Sequence, residues 1–363
     1  MKKLTCIDLF CGAGGFSHGL KQNNIDIILS NEIEKDFSKT YSLNHKKTKV
    51  ITEDIRNINF KKELKSLNHK YVDIICGGPP CQGFSTVGSK NKQDKRNSLF
   101  WEFLRAVNEV EPKVVIFENV AGFKSLYSGI AYETLITQLE KIGYNVYSSV
   151  LDAADYGLPQ HRKRTIVVGL LKNFKFQFPT KEYGKTKSLI EKPYIDIMSA
   201  ISDLPPLNSG EENNKYLSNP KNDFQKKMRG NLKILTEHNA SNYGTKMKKI
   251  LSLIPKNGSV KDLPISLRPK SYFNNVYARI DPSKPSPTIT RNFGTPSSSR
   301  CVHPFQNRAL STREGSRIQS FPDDFVFFGS KTSKNLQIGN AVPPILGEII
   351  GKQVVKSIFN LND

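Results

Sequence analysis

The sequence predicts an α/β protein built on a doubly wound sheet, with a second, smaller and more irregular domain. Three observations carry that expectation. Short β-branched runs recur through the first half, at residues 4–10, 25–29, 50–55, 72–76 and 114–117, each too short for a helix and each followed by a break. Between them lie stretches of helical spacing, the clearest being Phe100, Phe103, Leu104 and Val107 within 98–110. Strands that alternate with helices imply parallel pairing through crossovers. Beyond Lys172 the alternation gives way to Asn, Ser, Lys, Pro and Gly as far as Pro304, and order returns at 313–322 and in a closing helix at 345–359. The expected boundaries are therefore a first domain of 1–185, completed by 330–363, and a second of 186–329.

The first strand, 4–10, runs into Cys11-Gly12-Ala13-Gly14-Gly15-Phe16-Ser17, a glycine-rich turn before a helix start. Such a turn lets backbone approach a nucleotide-type ligand closely, although Ser17 stands where the dinucleotide fingerprint has its third glycine. Alone it is weak evidence, since tight turns often carry glycine for their own sake. Glu32 and Ile33 follow the second strand, about twenty residues past the glycines, where a carboxylate accepts from ribose hydroxyls. A strand over 50–55 brings Asp54 and Ile55 to the same end of the sheet, the neighbourhood of an adenine ring.

The strand at 72–76 ends in Gly77-Gly78-Pro79-Pro80-Cys81, where glycine and proline stop the ladder. A thiol beyond the carboxyl end of a strand is either a small turn residue or a nucleophile. Residues 86–97 are polar, basic and glycine-containing, and are expected to form a lid. The next strand, 114–117, ends at Glu118, so a carboxylate and Cys81 occupy the same kind of place on two strands and would face one cleft. Arg162 and Arg164 alternate into the strand 165–171 and are expected to share one face, suited to an anion or a base.

Composition narrows the partners. Among 363 residues there are 54 Lys+Arg and 33 Asp+Glu, a formal charge of +21 that points to a polyanion, most simply nucleic acid. Residues 172–300 alone carry 23 basic and 10 acidic side chains. The apolar runs are too short to span a bilayer, and the N-terminus reads as a first strand instead of a signal peptide. Five cysteines without a Cys-x-x-Cys pair indicate neither a zinc site nor a disulfide framework, so a reducing compartment and no metal are expected.

Taken in order, the blocks Asp8-Leu9-Phe10-Cys11-Gly12-Ala13-Gly14-Gly15, Gly78-Pro79-Pro80-Cys81-Gln82-Gly83-Phe84-Ser85, Glu118-Asn119-Val120 and Gln160-His161-Arg162-Lys163-Arg164 resemble the cytosine-C5 DNA methyltransferase family. Arg313-Glu314, Gln319-Ser320-Phe321-Pro322 and Gln337-Ile338-Gly339-Asn340-Ala341-Val342-Pro343 extend the resemblance over nearly the whole chain. It implies a Rossmann-like S-adenosylmethionine-dependent methyltransferase fold whose unmatched basic middle, about 186–286, is a target-recognition region. It implies Cys81 as nucleophile at cytosine C6, Glu118 at N3 and the exocyclic amine, Arg162 orienting the ring and Arg164 bracing Cys81. S-adenosylmethionine would lie against Phe10, Gly12, Gly14, Glu32, Ile33, Asp54, Ile55, Pro80, Leu99, Asn340 and Ala341, leaving S-adenosylhomocysteine as product. Ser85 and Arg96 would meet the backbone of a flipped nucleotide. Residues 285–294, with Thr288 and Arg291, resemble the core of the recognition loop.

The implied enzyme is a prokaryotic or phage one. It would be a cytoplasmic monomer on double-stranded DNA, with a cognate restriction endonuclease acting separately and no membrane partner. An RNA cytosine methyltransferase on the same scaffold is the competing enzyme, disfavoured by the long basic insertion. A non-catalytic DNA-binding relative would not need Cys81 and Glu118, and a nicotinamide oxidoreductase would leave Cys81, the arginines and the charge unexplained.

Overall fold

A computed structural model of the chain describes residues 2–80, 97–185, 191–298 and 300–359. Cys81, Ser85, Arg96 and the expected lid as far as residue 96 lie outside the described residues. Contacts divide the chain into two compact units. The first holds Met1–Asp152, Lys163–Thr180 and Leu346–Asp363, the second Ala153–Arg162 and Lys181–Ile345. The boundaries expected at 185/186 and 329/330 both fall inside the second unit.

The first unit is organised by seven strands: β1 (Leu4–Leu9), β2 (Ile25–Asn31), β3 (Lys49–Ile51), β4 (Ile74–Gly77), β5 (Val114–Val120), β6 (Tyr144–Asp152) and β7 (Lys163–Leu171). They lie in the order β3-β2-β1-β4-β5-β7-β6. Five helices make the crossovers: α1 (Gly15–Lys21), α2 (Lys35–Asn44), α3 (Phe60–Ser66), α4 (Asn97–Val110) and α5 (Ile130–Ile142). The β-branched runs of β1, β2, β4 and β5 are buried on both faces, as crossover helices on a parallel sheet require, while the short edge strand β3 is only partly covered. Phe100, Phe103, Leu104 and Val107 of α4 are all buried, and Phe103 meets Phe117 of β5 edge to face at 5.5 Å. The order reverses between β1 and β4, and in open α/β sheets that switch point opens a crevice beyond the strand ends.

Three local expectations change. The strand expected over 50–55 stops at Ile51, because the Asp54 carboxylate accepts from the Arg56 amide at 3.0 Å and caps a short 3-10 turn that buries Ile55 in the core. β7 pairs antiparallel with both β5 and β6, so one strand runs against the rest of the sheet. β7 begins at Lys163, so Arg162 precedes it and belongs to the other unit.

The second unit carries two-residue strands β8 (Tyr183–Gly184) and β9 (Lys192–Pro193) and helices α6 (Ile197–Ile201), α7 (Asp223–Arg229), α8 (Thr245–Leu253), α9 (Thr312–Ile318) and α10 (Lys331–Asn340). Helix α11 (Pro344–Phe359) leads the chain back into the first unit, where Gly347 is the residue of close approach to the Phe16 carbonyl of α1. The second unit is irregular but not loose. Arg308, Arg313 and Arg317 are fully buried. Arg308 grips Glu314 with two bonds of 2.7 Å, and Arg317 reaches Asp323 at 2.9 and 2.7 Å and also Asp203. Burial would raise the pKa of Glu314, but Arg308 overrides it and holds the carboxyl well below the usual range.

Candidate active site

The end of β1 is built to bring backbone close to something. Phe10 takes a left-handed φ of +55°, unusual for a bulky side chain and a mark of local strain. The Cys11 amide donates to Asn31 O at 3.1 Å, which ties the turn to β2. Around the position a Cβ on Gly12 would take, no heavy atom of the described residues beyond its chain neighbours lies within 4 Å, so among them the turn is open there. The Glu32 carboxylate accepts from the Gly12 amide at 2.9 Å and from the Glu34 amide at 2.9 Å. Burial raises its pKa and these two amides pull against that. Two amides leave acceptor capacity on a carboxylate, enough for a pair of ribose hydroxyls. Ile33, beside it, is exposed. A sugar at Glu32 and a flat apolar ring on Ile33 fit this corner.

A second layer under the turn was not foreseen from the sequence. The Ser17 hydroxyl donates to Asp8 at 2.6 Å and lies 2.7 Å from the Tyr41 hydroxyl. His45, one helical turn after Tyr41, donates from Nε2 to Gly14 O at 3.1 Å. Burial, then the charge of Lys21, lowers the pKa of His45 to about 3, so this donor is a neutral ring. Gly14 has φ +89°, and a Cβ there would sit 2.5 Å from His45 Nε2 and 2.8 Å from Tyr41 Cδ2. Only glycine fits. The signal available was Tyr41 and His45 at i and i+4 on one helix face.

One strand further along the sheet, β4 meets β5. Gly78 is pressed against Glu118: a Cβ at position 78 would lie 2.9 Å from Glu118 Oε2. Asn119 Nδ2 donates to Pro79 O at 3.0 Å, which fixes the backbone two residues before Cys81. Arg164 Nε lies 2.9 Å from Glu118 Oε1, with both side chains mostly shielded. The expected bracing partner of Arg164 was Cys81, outside the described residues; the partner seen is Glu118. Pro80 is exposed, Leu99 is partly buried against the core, and Asp54 is occupied by Arg56, whose Nε reaches it at 2.9 Å.

In the second unit Arg162 is buried, and its guanidinium donates to Ile289 O at 3.2 Å, Gly339 O at 2.9 Å and Ala341 O at 2.8 Å. Three carbonyls make it a brace between residue 289 and the end of α10. The Thr288 hydroxyl is spent on His161 O at 2.6 Å, while Arg291 and Asn340 are exposed and Ala341 is half-buried.

The comparisons with known proteins decide the family. The profile of C-5 cytosine-specific DNA methylase matches residues 4–356. The chain belongs to that family. The methylase is 37% identical to the Type II methyltransferase M1.HphI of Haemophilus parahaemolyticus, over 98% of this chain and 88% of the relative. It is 36% identical to the Type II methyltransferase M.DdeI of Desulfomicrobium norvegicum, over 99% and 90%. Among solved structures, a prophage-encoded E. coli protein assigned as a DNA modification methyltransferase superposes with a TM-score of 0.78 at 25% identity, over 98% of this methylase and all of the other chain. The Dnmt2 methyltransferase of S. pombe shares the fold, with a TM-score of 0.62 at 18% identity over the full length of both. The methylase uses S-adenosylmethionine, as its family does, and the glycine turn with Glu32 and Ile33 is the corner that fits it.

Proposed function

We propose that this methylase modifies one cytosine within a short double-stranded DNA sequence, as the modification component of a restriction–modification system, with Cys81 as its nucleophile. The observation that carries the proposal is the pairing of Gly78 with Glu118. The turn leading to Cys81 is packed directly on the carboxylate of the neighbouring strand, and Asn119 pins the same turn. A target base has to leave the duplex to be reached, at a cost of a few kcal/mol. The Cys81 thiolate then forms a bond to C6, and the C5–C6 π pair moves onto C5. Glu118, oriented by Arg164, accepts from the exocyclic amine with one oxygen and, as the carboxylic acid, gives a proton to N3 with the other, so the negative charge that develops in the ring is neutralised. N3 returns that proton when the C5–C6 bond re-forms. S-adenosylmethionine supplies the electrophilic methyl group. Once C5 carries the methyl, its proton leaves to a base, the pair returns to the C5–C6 bond and Cys81 departs as thiolate. The kinship with two Type II methyltransferases supports the modification role.

Bisulfite sequencing of plasmid DNA from cells expressing wild type or Cys81→Ser tests the reading. Methylation at one short motif, absent from the variant, is expected. Unmodified DNA in both refutes it, and a duplex carrying 5-fluorocytosine that forms no covalent adduct with wild type and cofactor removes the mechanism.

A further inference from the structure

The two most exposed large apolar side chains among the described residues are Ile265 (83%) and Phe273 (80%), and both lie on one loop. Residues 261–275 leave and return at a single point. The Val260 amide donates to Val276 O at 3.2 Å, and both valines are buried in a small core with Ile250, Ile254, Leu263 and Tyr277. The loop is braced from within. Ser259 and Asp262 form a capping box at its start. Arg268 turns back and donates to Leu263 O at 2.8 Å and Lys261 O at 2.7 Å. Turns at Leu267 N to Pro264 O (2.9 Å) and Val276 N to Phe273 O (3.1 Å) hold the two tips. An isoleucine and a phenylalanine held outward on a self-braced loop stay largely in water in this unit, so a partner that covers them would gain their burial.

The charge around them says which partner. Residues 244–275 contain seven lysines and arginines and a single acidic residue, Asp262, which the capping box occupies. Phosphates would draw the surface in, while apolar tips on a rigid loop can meet thymine methyl groups or wedge between base steps. In the segment that resembles the core of the recognition loop, 285–294, the backbone is clamped at residue 289 and packed close at 291. Gln160 Oε1 accepts from Ile289 N at 2.8 Å, Arg162 holds Ile289 O, and Gly339 lies so close that a Cβ there would be 2.4 Å from the Arg291 amide nitrogen. We propose that the 261–275 loop is the sequence-reading contact of this methylase with duplex DNA, with Phe273 and Ile265 as its base-contacting tips. The inference rests on the reading that the chain acts on duplex DNA.

The test separates this loop from the methyl-transfer reading. Full-length wild type, Phe273→Ala and Ile265→Ala are used to select sequences from a random duplex pool, and affinities for the selected and a scrambled duplex are read by fluorescence anisotropy. No methyl transfer is needed for that readout. Both tips are exposed, so thermal midpoints should stay at the wild-type value. At least one variant is expected to lose roughly tenfold in the ratio of selected to scrambled affinity, with scrambled affinity unchanged. Lys270→Ala should weaken both duplexes alike and shallow the salt dependence by about one. Unchanged ratios in both apolar variants, or a wild type that enriches no sequence, overturn the inference. A wild type that enriches a sequence yet methylates nothing refutes the proposed function, while the ratios still decide the loop.

Discussion

Gly14→Ala isolates the geometry of the cofactor corner. Its φ of +89° lies where an L-residue pays about 1–2 kcal/mol. The added methyl would stand 2.5 Å from His45 Nε2 and 2.8 Å from Tyr41 Cδ2, well inside contact distance. Overpacking of this kind costs about 1–3 kcal/mol. The sum, about 2–5 kcal/mol, is relieved most directly by moving the turn, which pulls the Gly12 amide off Glu32 and spoils the corner that fits ribose. Calorimetric titration with S-adenosylhomocysteine should therefore show affinity lower by roughly thirtyfold or more. Adding His45→Ala removes the nearer collision but leaves the φ cost, so the double variant should recover part of the loss and not all. A Gly14→Ala protein that binds S-adenosylhomocysteine within threefold of wild type, with an unchanged thermal midpoint, would refute the assignment of this turn to the cofactor.

Three further outcomes follow from the same structure. Arg164→Ala leaves Glu118 without its 2.9 Å partner, and the loss of a charged hydrogen bond worth about 1.5–3 kcal/mol should slow adduct formation on 5-fluorocytosine DNA roughly 10- to 150-fold; wild-type speed would contradict the pairing. Arg308→Met strands the buried Glu314 carboxylate, and urea unfolding should report about 3–5 kcal/mol of destabilisation, against which a change under 1 kcal/mol would count. Asp8 has its pKa raised to about 7 by burial, with Ser17 pulling the other way. A carboxyl raised above its unfolded value of 3.8 stabilises fully below that value, and the contribution is lost as pH rises through about 7. Unfolding free energies between pH 4 and 8 should consequently fall less steeply in Asp8→Asn than in wild type, and identical slopes would refute the shift.

Local signals explain what the sequence made legible. β1, β2, β4 and β5 are short β-branched runs closed by glycine, proline or a polar residue, and the buried face of α4 is written in Phe100, Phe103, Leu104 and Val107. The direction of β7 is not local. Nothing within 163–171 distinguishes a strand that will run antiparallel between β5 and β6 from one that runs with them. Asp54 shows a local contest decided elsewhere: its side chain captured the Arg56 amide and Ile55 dropped into the core, so an apolar run became a turn. Least legible were the buried arginines. In a chain of charge +21 they count as surface, and only the fold reveals that Arg317 finds Asp203 more than a hundred residues away. Arg162 and Arg164, two positions apart, look like a pair in the sequence; one braces carbonyls of the second unit and the other meets Glu118 in the first.

Ten residues, 153–162, leave the sheet after β6, join the second unit and return as β7. Within that tongue, His161 N donates to Ser286 O at 2.8 Å, Gln160 reaches Gln319 Oε1 at 2.6 Å and Arg162 holds residues 289, 339 and 341. Anyone moving specificity between relatives inherits this seam. A cassette cut at 181 and 345 would strand the tongue against foreign partners and leave its buried guanidinium searching for carbonyls. A graft that ends before Ser286 keeps every one of those bonds native, which makes the tongue a ruler for where recognition can be exchanged and where the enzyme has to remain itself.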